Sequence, residues 1–184
     1  DIEFNIWIMI LIILLIVGFG VKAGLVPLHT WLPDAHPAAP SPISAMLSGI
    51  VIEVGLYGLS RIMFTLFSSS IEIWRLIIAF MSIANMTLGN LLALLQKDVK
   101  RMLAYSSIAH MGYMLIGLVS STTYGVAGTL LHIFGHAMMK GGAFLCVGIV
   151  IHQTGSREIE KFSGLWRKMP ITSTLLCWVL GSLT

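Results

Sequence analysis

The sequence predicts an all-α protein: a polytopic bundle of transmembrane helices, one of them broken. Of 184 residues, 57% are hydrophobic and only 10% are charged, whereas soluble domains carry about 25% charged residues. One soluble domain of this length cannot hide so much apolar surface from water. The apolar residues are also grouped into stretches of the roughly 20 residues that cross a bilayer. We therefore expect a single domain, residues 1–184, whose solvent is the lipid bilayer.

Five apolar stretches are long enough to cross the membrane as helices. They lie at about residues 4–32, 42–67, 71–95, 99–120 and 125–151, and a sixth, 169–184, is incomplete. The first stretch is too long for a signal peptide and opens with acidic rather than basic residues, Asp1 and Glu3. Because the sequence begins without Met and stops inside an apolar run, we expect it to be part of a larger protein.

The first stretch contains helix-breaking residues at membrane depth. Pro27 has no backbone N–H and frees the carbonyl of Ala23, next to Lys22, while Gly24 lies between them. Helices broken at this depth are tolerated where they line a cavity or a packed site. We therefore expect Lys22 to lie at a functional break. The alternative is a lysine stem that extends to the membrane interface.

The connections between the helices alternate sides, and their charge predicts the orientation. One side holds loops 33–41, 96–98 and 152–168 and, with Lys100 and Arg101, carries most of the basic residues. The positive-inside rule places these loops in the cytoplasm, as in a multi-pass protein of the inner (cytoplasmic) membrane. The net charge of +3 is small and its bases are spread over loops, which argues against nucleic acid as a partner.

Ionisable residues inside the predicted spans are the strongest functional signal. Such residues are costly in lipid and usually mark ion or proton pathways. Glu53 lies near the middle of its span, too far from either interface for a carboxylate to reach water. Its alternative role is a static ion pair or a protonated side chain that only ties helices together. The six candidates are Lys22, Glu53, His110, His132, His136 and Lys140.

Three of these residues share one face of one helix. His132, His136 and Lys140 follow each other at i, i+4 and i+8, so they line about 12 Å of a single face. Histidine titrates near neutral pH, so groups one turn apart could pass a proton directly or through water. His110, which lies close to Tyr113 in sequence, is a weaker candidate and fits a helix-packing role equally well.

Two other chemistries remain as alternatives. His110 and His136 could ligate a haem from facing helices, and His132 with His136 could bind a metal ion at i, i+4. The metal site lacks a third good ligand, and Lys140 would repel the ion, so we predict no metal site. The sequence contains no glycine-rich phosphate loop in context, no nucleophile elbow and no cysteine cluster. We expect no self-contained active site and no cofactor in this chain.

Four segments carry a resemblance that covers essentially the whole chain. They are GVKAGLVPLHTWLPDAHPAAPSPISAMLSG at 20–49, QKDVKRMLAYSSIAHMGYM at 96–114, HIFGHAMMKGGAFL at 132–145 and IEKFSGLWRKMP at 159–170. Together they resemble the proton-translocating, antiporter-like membrane subunits shared by respiratory complex I, membrane-bound hydrogenases and Mrp-type Na⁺/H⁺ antiporters. The resemblance implies an inverted-repeat fold, of which this chain looks like about the seventh helix to the start of the twelfth.

The resemblance also implies roles for individual residues. Lys22 matches the central lysine of the broken seventh helix, a protonation site, and His132, His136 and Lys140 match the relay of the eleventh helix. Glu53 stands where the family usually has Lys or His, so it could pair with Lys22 or offer an oxygen ligand to Na⁺. The transported ion is therefore expected to be H⁺ or Na⁺.

The resemblance implies other membrane subunits of a multisubunit complex as partners. The leading hypothesis is a membrane subunit of an oxidoreductase complex of the NADH:quinone or hydrogenase type. Two alternatives remain: a subunit of a Na⁺/H⁺ antiporter without redox partners, and a structural module of a membrane arm.

Overall fold

The computed structural model describes residues 6–66 and 71–182, apart from the side chains of Leu66 and residues 71–73. Five of its helical stretches are long and apolar enough to cross a membrane. The predicted helix ends at residues 4, 67 and 184 lie outside the described residues. In chain order the helices are α1 (Ile6–Ala23), α2 (Trp31–Ala38), α3 (Ser41–Met46), α4 (Ile52–Leu66), α5 (Ile71–Leu94), α6 (Val99–Val119), α7 (Thr123–Thr154), α8 (Leu165–Lys168) and α9 (Pro170–Gly181).

The break predicted in the first span is present. α1 ends at Ala23, and the chain turns through residues 24–30, which include Pro27, before α2 begins at Trp31. Gly24 has a φ of +66°, a conformation that favours glycine. The N–H of Leu25 donates to the carbonyl of Gly20 at 2.8 Å and closes the end of α1.

The prediction of a loop at 33–41 is wrong over most of its length, because α2 continues to Ala38. Pro33 lies in the first turn of α2, where a helix needs no N–H donor, so this proline does not prevent the helix. Ala39 then ends the helix in an extended conformation. The loop predicted at 152–168 is also shorter, because α7 continues to Thr154, and it contains a 3₁₀ turn, Ile159–Phe162, as well as α8.

A π-helical segment, Leu47–Val51, interrupts the second span between α3 and α4. Glycine permits close backbone approaches here: a Cβ at Gly49 would lie 3.0 Å from the carbonyl oxygen of Ala137 on α7. On α4, a Cβ at Gly55 would lie 2.8 Å from the backbone nitrogen of Ala23 on α1. The second span therefore packs against α7 with its π-helical segment and against α1 with α4.

α6 is the central helix of the described bundle. In this span 61% of the residues are buried, against 22% in α1. α6 packs against α5 and α7, and it also contacts α2 and α4. Its buried side chains include Ile108, Met111, Met114 and Leu115, which join the main hydrophobic core. The polar residues of α6 and α7 are thus surrounded by apolar side chains.

The three connections predicted to share one side do meet, and we call this side of the bundle the loop side. The N–H of Val99 donates to the carbonyl of Arg157, and that of Ile159 donates to the carbonyl of Lys97, both at 3.0 Å. The guanidinium of Arg157 also donates to the carbonyl of Pro37 at 2.6 Å. These bonds tie the end of α2 to the connection after α7, and that connection to the one before α6.

The start of α6 is held at the loop side by charged residues. The carboxylate of Asp98 caps the helix and accepts from the N–H groups of Lys100 at 2.8 Å and Arg101 at 3.2 Å. The guanidinium of Arg101 pairs with the exposed Asp34 of α2. The ammonium of Lys100 is buried and donates to the carbonyl of Ala39 at 2.8 Å. α2 is therefore fixed against the first turn of α6.

Candidate functional site

The structure brings together five of the six ionisable residues predicted inside the spans. His132, His136 and Lys140 lie on one face of α7, which meets His110 on α6 and Glu53 on α4. We call these five residues the buried polar line. His136 and Lys140 are 0% exposed, Glu53 and His110 are 6% exposed, and His132 is half-buried.

Glu53 and His136 form a close pair in the interior. The Nδ1 atom of His136 lies 2.7 Å from Oε1 of Glu53. The second nitrogen of His136, Nε2, is buried and has no hydrogen-bond partner among the described residues. Either the imidazole N–H donates to the carboxylate or the protonated carboxyl donates to the imidazole, so the pair can share one proton. The free Nε2 atom provides a second position at which a proton can enter or leave.

His110 connects the other two histidines. Its Nδ1 atom lies 3.1 Å from Nε2 of His132. Its ring centroid lies 5.1 Å from that of His136, at a tilt of 44°. The rings of His110 and His136 are therefore close together, without space for a porphyrin between them in this arrangement. In the part of the chain that the structure describes, no group of three His, Cys, Asp or Glu residues is placed to hold a metal ion.

Lys140 ends the buried polar line towards the loop side. Its ammonium is completely buried and donates to the carbonyl of Leu103 on α6 at 3.2 Å. One turn further along α7, the ring of Phe144 stacks on the ring of His36 from α2, with centroids 4.5 Å apart and an angle of 11°. The next charged group towards the loop side is the ammonium of Lys100, which lies one turn before Leu103 on α6. His36 therefore lies between the levels of Lys140 and Lys100.

His36 is a site residue that the sequence analysis missed. It is 0% exposed, and neither ring nitrogen has a hydrogen-bond partner among the described residues. Burial, followed by the positive charges of Lys140 and Lys100, lowers the pKa of His36 to about 4, so the ring is neutral at pH 7. The prolines around His36 suggest a loop, which concealed it. The signal that could have found it is the i, i+4 spacing of Leu32 and His36, typical of one buried helix face.

Lys22 lies apart from the buried polar line. It is exposed in the last turn of α1 and forms no hydrogen bond or ion pair with the described residues. The next residue, Ala23, is the one that faces α4, where it packs against Gly55. Because neighbouring helical residues point about 100° apart, Lys22 faces away from this contact. The structure therefore pairs Glu53 with His136 and not with Lys22.

A cleft of about 1450 Å³ connects the loop side with the middle of the bundle. Lys97 and Glu158 line its loop-side end, and Ser106, His110 and His132 line its deep end. The cleft therefore connects the surface of the described chain with His110 and His132, at the histidine end of the buried polar line.

A bundle of membrane-length apolar helices around a line of ionisable side chains fits the antiporter-like membrane subunits that the sequence resembles. Residues 2–184 match a family model described as "NADH:quinone oxidoreductase/Mrp antiporter, TM". The chain belongs to this family.

The similar proteins are subunits of large membrane complexes. NADH-quinone oxidoreductase subunit M of Rickettsia prowazekii (strain Madrid E) is 39% identical over 158 residues, which cover 86% of this chain and 32% of that protein. The chain thus spans about a third of the length of this relative.

Two solved structures share the fold. A chain of the archaeal membrane-bound sulfane sulfur reductase, a respiratory membrane complex, is 34% identical with a TM-score of 0.82, covering 94% of this chain and 39% of that one. A chain of the Mrp complex from Dietzia sp. DQ12-45-1b gives a TM-score of 0.92 at 24% identity, covering 98% of this chain and 34% of that one, and shows the fold alone.

Proposed function

We propose that this chain is the ion-conducting part of a membrane subunit in a multisubunit respiratory or hydrogenase-type complex, and that it moves protons along the buried polar line. The observation that carries this proposal is the Glu53–His136 pair, 2.7 Å apart in the interior, with Lys140 one turn away on the same face of α7. Ionisable residues at such depth are rare in membrane helices unless they serve transport.

The geometry supports a transfer in which His136 gains and loses a proton on opposite nitrogens. A protonated Glu53 gives its proton to Nδ1, and the proton on Nε2 leaves towards Lys140, so the imidazole carries the same number of protons before and after. The missing partner of Nε2 supports this route, because a buried polar atom without a partner is usually satisfied by water. A water bound at Nε2 would accept this proton and pass it on.

Two connections lead from the loop side to the buried polar line, and they would supply it with protons from that side; we propose that the rest of the full-length protein completes the path to the other side. The cleft reaches His110 and His132. Beyond Lys140, His36 lies between the levels of Lys140 and Lys100. Neither of its ring nitrogens has a hydrogen-bond partner among the described residues. A neutral imidazole has one donor and one acceptor nitrogen, so water on both sides of His36 would continue the route.

The composition of the line favours H⁺ over Na⁺ as the transported ion. Hard cations prefer oxygen ligands, and Glu53 is the one carboxylate in a line whose other members are histidines and a lysine. Its Oε1 atom is already engaged by His136. A sodium ion would therefore replace this pair and meet the charge of Lys140.

Partners, cofactors and location follow as parts of the same proposal. Other membrane subunits would supply the driving reaction, since the relatives are named as parts of a quinone oxidoreductase and of a sulfane sulfur reductase. The chain would carry no cofactor of its own. It would lie in the inner (cytoplasmic) membrane with its loop side in the cytoplasm, because the basic residues gather there.

The test uses the full-length protein in its native complex, in membrane vesicles that form an ion gradient when the complex turns over. Glu53→Gln and Lys140→Met are expected to reduce gradient formation more than tenfold per assembled complex, because each removes a proton-carrying group. His152→Gln is the matched control, since His152 is exposed at the loop-side end of α7. A protonophore should collapse the gradient, and a sodium ionophore should not.

Three results would contradict the proposal. Normal gradients in assembled Glu53→Gln and Lys140→Met complexes would identify a structural module instead. A gradient that only the sodium ionophore collapses would identify Na⁺ as the ion. Purification of the full-length protein with hydrophobic subunits alone would identify an antiporter without redox partners.

A further inference from the structure

Two buried serine hydroxyls connect the second span with α6. Ser48, in the π-helical segment Leu47–Val51, and Ser107, on α6, are both 0% exposed. Their Oγ atoms lie 2.7 Å apart, within the range of a good O–H···O hydrogen bond. Neither residue belongs to the buried polar line.

The serine pair shares a hydrogen-bond acceptor with Lys140. The Oγ of Ser107 lies 3.0 Å from the carbonyl oxygen of Leu103, and the ammonium of Lys140 donates to the same oxygen at 3.2 Å. A continuous set of contacts therefore runs from Lys140 through Leu103 and Ser107 to Ser48. Each serine hydroxyl has a single hydrogen, so Ser107 can donate either to Leu103 or to Ser48, but not fully to both.

The far end of these contacts reaches the helix that carries Glu53. Ser48 and Gly49 are neighbours in the π-helical segment, and α4 with Glu53 follows directly. Gly49 packs against the backbone of Ala137, the residue after His136 on α7. The π-helical segment therefore packs next to the Glu53–His136 pair, so a shift of this segment would change the distance between the two residues. Single π-helical turns occur frequently at functional sites.

We propose that the Ser48–Ser107 hydroxyl pair is a positioning site that couples Lys140 to the Glu53–His136 pair; this inference rests on the proposed function. A charged Lys140 makes a charge-assisted bond to the Leu103 carbonyl, which leaves the Ser107 hydrogen free to turn towards Ser48. A neutral Lys140 binds this carbonyl less strongly, so Ser107 donates to Leu103 and Ser48 donates to Ser107. Only hydroxyl hydrogens rotate, and no proton is gained or lost by the serines.

The test compares serine variants of the full-length protein in its complex, measured as ion translocation per assembled complex. Ser107→Ala and Ser48→Ala are each expected to reduce translocation about two- to tenfold, the range set by the loss of one ordinary hydrogen bond. The double variant should be no slower than the slower single one, because both remove the same contact. Ser107→Thr should restore translocation, because threonine can bond to the same carbonyl.

Ser82→Ala is the matched control. Ser82 is also 0% exposed, and it donates to a carbonyl of α6, that of Gly112, at 2.7 Å. Its loss should affect thermal stability as the loss of Ser107 does, but not translocation. A role limited to helix packing would make all three alanine variants alike and the double variant additive, and this result would overturn the inference.

The two proposals fail in distinguishable ways. If Glu53→Gln and Lys140→Met abolish translocation while Ser107→Ala and Ser48→Ala leave it at the wild-type rate, the positioning site is wrong and the proposed function stands. If Glu53→Gln and Lys140→Met also leave translocation intact, the proposed function itself is wrong.

Discussion

Lys22 and Lys140 both lie in helices long and apolar enough to cross a membrane, yet their surroundings are opposite. Lys140 is completely buried between α6 and α7 and donates to a carbonyl of α6. Lys22 is exposed at the end of α1 and has no polar partner among the described residues. The difference shows that an apolar helix does not by itself decide where its lysine lies. Among the described residues, neighbouring helices cover the lysine face of α7 and leave that of α1 open.

The largest effect on stability is expected at Lys140. Replacing it by Ala empties a fully buried position, which typically costs about 2–5 kcal/mol, whereas Lys140→Met refills the space and should recover most of this loss. Lys22→Ala should cost less than Lys140→Ala, because Lys22 has no polar contact with the described helices to lose. The measurement is unfolding of the full-length protein in detergent. Equal losses at the two lysines would contradict the comparison.

Glycine substitutions test the contacts that hold each region. Gly55→Val should destabilise the protein by about 1–3 kcal/mol, because its Cβ would meet the backbone of Ala23 at 2.8 Å and separate α1 from α4. Gly141→Ala on α7 is the control, since nothing lies within 4 Å of its Cβ position, and it should be neutral or stabilising. Thermal unfolding in detergent distinguishes them. A loss at Gly141 as large as that at Gly55 would refute the close-approach explanation.

His36, near the loop-side end of the buried polar line, should make the stability of the protein depend on pH. Its pKa is lowered to about 4, so between that pH and the ordinary value of about 6.5 the unfolded chain binds a proton that the folded protein does not. Stability should therefore fall as the pH is lowered through this window, by up to about 3 kcal/mol. His36→Phe keeps the stack on Phe144 and should remove this contribution, as seen in melting temperatures at pH 7 and pH 5.

The control for this prediction is His152→Phe, at an exposed position of α7. It should leave the pH dependence of the melting temperature as in the wild type. If His36→Phe and His152→Phe have the same pH dependence, burial of His36 is not its cause. Because water at His36 belongs to the proposed proton route, His36→Phe should also slow translocation at pH 7.

The smallest effects are expected at the charged residues of the loop side. Asp98→Ala removes two hydrogen bonds to the first turn of α6 and should cost about 1 kcal/mol. Asp34→Ala removes only an exposed ion pair with Arg101 and should cost about 0–1 kcal/mol, less at high salt. Chemical denaturation at two salt concentrations separates the two. A larger, salt-sensitive loss at Asp34 would contradict this order.

The sequence predicts the helices well, because membrane spans require long uninterrupted apolar stretches, and it also predicts the break near Pro27. It does not predict that α2 continues to Ala38, because Pro33 and Pro37 look like loop residues, although Pro33 lies in the first turn, where a helix allows proline. It does not predict the π-helical segment either, since that segment depends on the approach of Gly49 to α7 and not on a local pattern.

The sequence predicts most residues of the buried polar line, but it does not predict which of them form pairs. The spacing of His132, His136 and Lys140 places them on one face, and that arrangement is present. The partner of Glu53 is His136 rather than Lys22, because it depends on how α4 rotates against α7. The full burial of His36 could not be predicted from the sequence, because it depends on the packing of α2 against Phe144 of α7.

Infrared difference spectroscopy of the full-length protein in its complex tests the central claim most directly. If protons move along the buried polar line, turnover should change the carboxyl C=O band of Glu53, and this change should disappear in Glu53→Gln and remain in His152→Gln. Ion translocation that continues at the wild-type rate without any change in a carboxyl band would contradict the claim that the Glu53–His136 pair carries the proton.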